Sequence, residues 1–219
     1  MKVKMLFTGI FVSALMAGDL FAVDRTYDVD ENACIHNWLI LPAISLDENA
    51  SNHTEEAQKA YFDKEFFKDQ NAAKPSARNK VKVGDNELTW VAIQTSGPIL
   101  EFIEPANNSI YFGTTYIVCD QDIPDVIISI GSDDSSLWKL NGTELIRTYS
   151  GRGVEEDQNR SNPVTLKKGV NMLSMAVING VGPSGACARL LDKDNNPVKN
   201  IKISLTPAIN NAAPVLATK

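Results

Sequence analysis

The chain has 219 residues, 43% of them hydrophobic and 22% charged, and carries a net charge of −6 at pH 7. That acidity, with no cluster of Lys or Arg, excludes phosphate backbones and anionic membranes as expected partners. Two histidines and three cysteines, without a Cys-x-x-Cys, give no ligand set with zinc spacing.

At the N-terminus, Lys2 and Lys4 precede an apolar run from Met5 to Ala17, and small residues follow up to Ala22. This is the order of a secretory signal peptide. The run is too short for a permanent membrane span, although an uncleaved anchor is the competing reading. We expect residues 1–22 to be removed and the mature chain to start near Val23, secreted, periplasmic or at the cell surface. No other stretch is long and apolar enough to insert into a membrane. Loss of Lys2, Lys4 and Asp19 moves the net charge from −6 to −7.

The rest reads as short β-runs separated by turn chemistry. Expected strands are Trp38–Leu41, Leu88–Ile93, Ser109–Cys119, Val126–Ile130, Leu137–Leu140, Glu144–Thr148, Pro163–Leu166, Asn171–Val177, Ala186–Leu191 and Ile201–Leu205. Between the first two lies "TEEAQKAYFDKEFF", residues 54–67, the one stretch of helical character, followed by a patternless loop Lys68–Val83. Asn141-Gly142, between "LWKL" and "TELI", is the sequence of a type I′ hairpin turn. Many strands and one helix mean an all-β sandwich. We expect one domain over residues 23–206, a long insertion at about 47–87, and a flexible tail at 207–219.

The order "NWLIL", "FDKEFF", "LTWVAI", "YFGTTYIV", "IGSDDSSLWKLNGTEL", "LKKGVNMLSMAV", "ARLLD" resembles the jelly-roll domains of the galactose-binding-like superfamily in secreted bacterial proteins. Those domains are similar to the sugar-binding domain at the head of β-galactosidases. The resemblance spans roughly residues 36 to 206 and implies a carbohydrate-binding-like module. The chain departs from the pattern at two places. Lys139 stands where the family has an aromatic residue before "LNG", and "SGACARL" lacks the aromatic of the closing strand. By strand alternation, Trp138 and Leu140 share a face with Ser136, and Leu137 and Lys139 share the other.

Asp133 and Asp134 have two readings. Their carboxylates accept hydrogen bonds from backbone N–H groups two residues on and fix a turn. Alternatively they hold Ca²⁺, as a similar "DD" does in lectin domains of the anthrax protective-antigen type. The turn is the favoured reading, and Ca²⁺ is the one cofactor to test. The loop "GRGVEEDQN" is expected beside the dyad. If both serve a ligand, Asp133, Asp134, Tyr149, Arg152, Glu155, Asp157 and Gln158 surround it. Trp90, Tyr111 and Trp138 are further rings that a sugar could use, although core packing is favoured for Trp38, Trp90 and Trp138.

No nucleophile elbow, phosphate loop or histidine placed as a base is present, so no enzyme activity is expected. The expected function is a secreted, non-catalytic carbohydrate binder. The alternative is an assembly protein, a surface-layer or filament subunit whose sandwich meets protein partners. Three cysteines allow three pairings. The resembled core favours Cys119 with Cys187.

Overall fold

A computed structural model describes residues 25–46, 54–102 and 105–207. The expected signal peptide lies outside these residues, as do 208–219 of the expected tail and 47–53 of the insertion. The strands in chain order are β1 (Thr26–Asp28), β2 (Asn37–Ser45), β3 (Lys80–Val83), β4 (Asn86–Thr89), β5 (Val91–Gln94), β6 (Leu100–Glu101), β7 (Ser109–Cys119) and β8 (Ile123–Asp133). They continue with β9 (Ser135–Leu140), β10 (Thr143–Thr148), β11 (Asn159–Arg160), β12 (Val164–Leu166), β13 (Gly169–Asn179), β14 (Gly185–Leu191) and β15 (Lys202–Ser204). The helix α1 (Glu55–Asp63) precedes β3.

The expected all-β sandwich is present, with all sheet pairings antiparallel. The larger sheet has eight strands, built on β7, which pairs with β13 from Gly169↔Cys119 to Asn179↔Ser109. On its other edge β7 is shared: β2 takes the half from Ser109 to Thr114, and β15 the half from Tyr116 to Val118. The smaller sheet has five strands, with β8 between β14 on one side and β11 and β12 on the other. From β7 onward the chain crosses repeatedly between the sheets, as a jelly roll does.

Side-chain alternation sets the layers. Trp38, Trp138, Leu173 and Ile117 of the large sheet meet Ile128, Ile130, Ala188 and Leu190 of the small one in the central core. Trp38 and Trp138 contact edge to face at 6.0 Å. The opposite face of the large sheet is also buried. There Leu39, Leu41, Phe112 and Leu137 pack under Phe62 and Phe67 from the insertion and Trp90 from the break between β4 and β5. The β13 strand is therefore covered on both sides, which explains its weak alternation in sequence.

The insertion is more structured than the sequence suggests. Thr54 caps α1 by accepting the Ala57 N–H at 3.2 Å. The segment read as loop ends in β3, which pairs with β4, and the stretch read as one strand at Leu88–Ile93 is two, broken at Trp90. The Tyr116 hydroxyl donates to the Pro75 carbonyl at 2.7 Å and ties the insertion to β7. Asn141 and Gly142 have φ of 50° and 84°, the positive values that the expected turn requires.

Candidate functional site

The "DD" dyad closes β8, and its peptide bond is cis. Asp134 does fix the chain, but with distant groups rather than residues two places on. Its Oδ1 accepts the Arg152 N–H at 2.9 Å and its Oδ2 accepts the Gly180 N–H at 2.8 Å. One carboxylate thus joins the ends of β8, β13 and the loop after β10. The sequence expectation of a local turn is corrected to a staple between segments 18 and 46 residues away. Asp133 differs. Burial, and then the Asp134 carboxylate beside it, raise its pKa to about 6. Among the described residues, no three His, Cys, Asp or Glu groups converge in a way that could hold a metal ion.

The loop from 151 to 158 does meet the dyad, as expected, but it spreads its groups apart. Arg152 donates from Nε to the Ser132 carbonyl at 3.2 Å and from Nη2 to Asn159 Oδ1 at 2.6 Å. Its pKa is lowered by burial. Gln158 accepts the Ser132 N–H at 3.0 Å and donates to the Gly153 carbonyl at 2.7 Å. Asp157 bonds elsewhere than the dyad: it accepts from Arg189 Nε and Nη2 and from Ser129 Oγ. The Arg189 guanidinium holds its carboxyl below the usual range. Glu155 contributes its backbone, not its side chain: its carbonyl faces Gly131 and accepts from the Cys187 thiol. Asp134, Arg152, Asp157 and Gln158 are therefore engaged with neighbouring groups and the backbone, Glu155 is exposed, and Asp134 is the member of the set that lines the open cleft beside Tyr149.

Three of the proposed sugar-facing rings are in the core. Tyr111 is stacked on Phe102 at 4.3 Å, Trp138 is fully buried, and Trp90 packs on Phe67. Tyr149 is half-buried with its ring tilted on Phe62 at 6.3 Å, and it lines an open cleft of about 390 Å³. Glu55 and Gln58 from α1 line the same cleft, with Ser150, Ile178 and Gly180 among its other walls. Gln58 is only 5% exposed. Its Oε1 accepts from Ser135 Oγ at 2.8 Å. Gln58 and Glu55 were missed in sequence because the insertion gives no sign of where α1 docks.

The cysteine expectation is corrected. All three thiols are free. Cys119 ends β7 in the large sheet, where Asn171 Nδ2 donates to its sulfur, whereas Cys187 lies on the outer side of the small sheet. The two sit on different sheets.

No family model and no curated protein matches the chain. Among solved structures, the PA14 domain of the MpAFP antifreeze protein aligns at 11% identity over 89% of this chain and 100% of that chain, with a TM-score of 0.41. An epithelial adhesin A domain from Candida glabrata, in complex with β-lactose, aligns at 8% identity over 86% of this chain and 96% of that one, with a TM-score of 0.32. A β-glucosidase from Kluyveromyces marxianus in complex with glucose aligns at 19% identity and a TM-score of 0.35; the match covers 54% of this chain and only 15% of that one. Likeness at these levels carries no argument about what the chain binds.

Proposed function

We propose that the protein is a non-catalytic, carbohydrate-binding-like module acting outside the cytoplasmic membrane, with the Tyr149 cleft as its site. The single observation that carries this reading is a cleft in which one aromatic ring, Tyr149, stands with the nearly buried amide of Gln58 and with Glu55. A sugar needs both a ring and polar groups. Its C–H face packs on Tyr149, one hydroxyl oxygen accepts from Gln58, and another hydroxyl donates to Glu55. Among the described residues no Lys or Arg lines the cleft, so the fitting ligand is a neutral saccharide rather than a uronate or sulfated sugar. Calcium is not needed in this reading, because both Asp134 oxygens already accept backbone N–H groups. The signal-peptide pattern of residues 1–22 supports the location.

The test is a glycan array probed with the full chain, in millimolar Ca²⁺ and in chelator. Retention of neutral glycans, unchanged by chelation, is expected. Tyr149→Ala should lower it by about tenfold or more, and Glu55→Gln by a few-fold, consistent with one lost hydrogen bond. No retention of neutral glycans, or equal retention by Tyr149→Ala, overturns the reading. The assembly alternative has one observation behind it: β5 is an edge strand whose Val91 is exposed, and strand edges invite pairing. A sizing measurement that found oligomers dispersed by Val91→Lys would favour it.

A further inference from the structure

We infer that Cys34 and Cys187 are a disulfide-forming pair, and that Cys119 is the thiol left over. Cys34 lies just before β2, where an isolated antiparallel bridge sets it opposite Arg189 of β14. The flanking bonds are Ile35 N–H to the Ala188 carbonyl at 3.0 Å and Leu190 N–H to the Ala33 carbonyl at 3.2 Å. Alternation along β14 then puts Cys187 on the same side as Arg189, one diagonal step from Cys34. That side is the outer face of the small sheet, since Ala186, Ala188 and Leu190 occupy the core side.

The two thiols line one small pocket with Glu156 and Asp157. Each touches the same short loop: Cys34 Sγ donates to the Glu156 carboxylate at 3.7 Å, and Cys187 Sγ to the Glu155 carbonyl at 3.5 Å. A diagonal pair in a regular ladder sits at about 7–8 Å between α-carbons, beyond the usual disulfide span of about 4.4–6.8 Å, so bond formation draws the two backbones together. Cys34 lies outside the continuous strands, at an isolated bridge, so the approach that a bond requires is made by the short segment before β2 rather than by a strand.

Burial and nearby carboxylates push both thiols up to about 12. The folded protein therefore holds little thiolate, and oxidation belongs to the stage before the loop from 151 to 158 closes over the sulfurs. The oxidant is a disulfide, either oxidised glutathione or an oxidised dithiol carrier. Its S–S bond breaks as the Sγ–Sγ bond forms, and it leaves as two thiols with the two electrons and two protons of Cys34 and Cys187.

The experiment refolds the full chain in oxidised and reduced glutathione, alkylates free thiols, and maps peptides without reduction. A cross-linked Cys34–Cys187 peptide with alkylated Cys119 is expected, and the oxidised form should melt several degrees above the reduced one. Cys119→Ala should keep the cross-link and Cys187→Ala should abolish it. Three alkylated cysteines after refolding, or Cys119 in any intramolecular cross-link, overturn the inference. Glycan retention is a separate readout, so failure here leaves the cleft proposal to its own test.

Discussion

The two outer faces of the sandwich are both covered, by opposite chemistry. Over the eight-stranded sheet lies an apolar cover, where Phe62, Phe67 and Trp90 pack on Phe112, Leu137 and Ala176. Over the five-stranded sheet, the 151–158 loop is fastened by polar contacts: Asp157 to Arg189 and Ser129, Gln158 to Ser132, and Glu155 to Cys187. The apolar cover is stabilised by area removed from water and is insensitive to salt and pH. The polar cover depends on hydrogen bonds that must all be made at once, and on charge. An open cleft lies at the edge where the first cover meets the end of β8, bordered by α1 and Asp134.

Substitutions in each cover should separate the two. The largest effect is expected from Phe67→Ala, which empties a site 5% exposed between Trp90 and Phe112. It should cost about 3–5 kcal/mol in denaturant unfolding, with little dependence on salt. Gly131→Ala comes next. A Cβ there would lie 1.8 Å from the Glu155 carbonyl oxygen, so the polar cover must shift. A loss of about 2–3 kcal/mol is expected, together with new protease cleavage in the 151–158 loop. If Gly131→Ala leaves both unchanged, the loop does not lie on the small sheet.

Smaller effects probe charge. Arg189→Ala removes the partner of Asp157 in a pair whose side chains are 22% and 27% exposed. It should cost about 1–2 kcal/mol at pH 7, less in high salt. The Asp157 pKa is depressed by Arg189, so its stabilisation is present above the ordinary carboxylate pKa and is lost as pH falls through the depressed value. Arg189→Ala should therefore flatten the acid limb of the stability profile.

Asp133 has the opposite sign. Its pKa rises from 3.8 to about 6 on folding, so it destabilises the fold above pH 6, and that penalty fades as pH falls towards 3.8. Asp133→Asn should stabilise the protein by about 1 kcal/mol at pH 7.5, after allowance for solvent screening, and by nothing near pH 4. Equal melting shifts at both pH values would remove Asp133 as the source.

Much of the central sandwich is legible in the sequence because strand period and burial agree there. Ser109–Cys119 is read to the residue, and the faces of Leu137 through Leu140 follow from alternation alone. The expected core burial of Trp38 and Trp138 follows from the apolar runs around them. Legibility fails where the partner is remote in sequence. β6 and β11 are two residues long and exist only because a longer strand lies beside them, β14 and β8, while the three-residue β1 forms on the equally short β15. The role of Asp134 was read as local, but its donors come from Arg152 and Gly180. The cleft was half visible: Tyr149 stands beside turn residues, whereas Gln58 reads as a solvent-facing helix residue until α1 is docked.

The shared edge of β7 has a mechanical consequence. The first and last strands described, β1 and β15, are neighbours, with Thr26 opposite Ser204. Because they run antiparallel, residues 25 and 205 leave the pair at the same end. Tension applied through both ends would pull these strands apart one rung at a time, in the manner of a zipper, rather than shearing all rungs together. A host protein that carried this module under load would see it yield first at β1, while β7 and β13, locked along eleven paired residues, held the body of the sandwich intact.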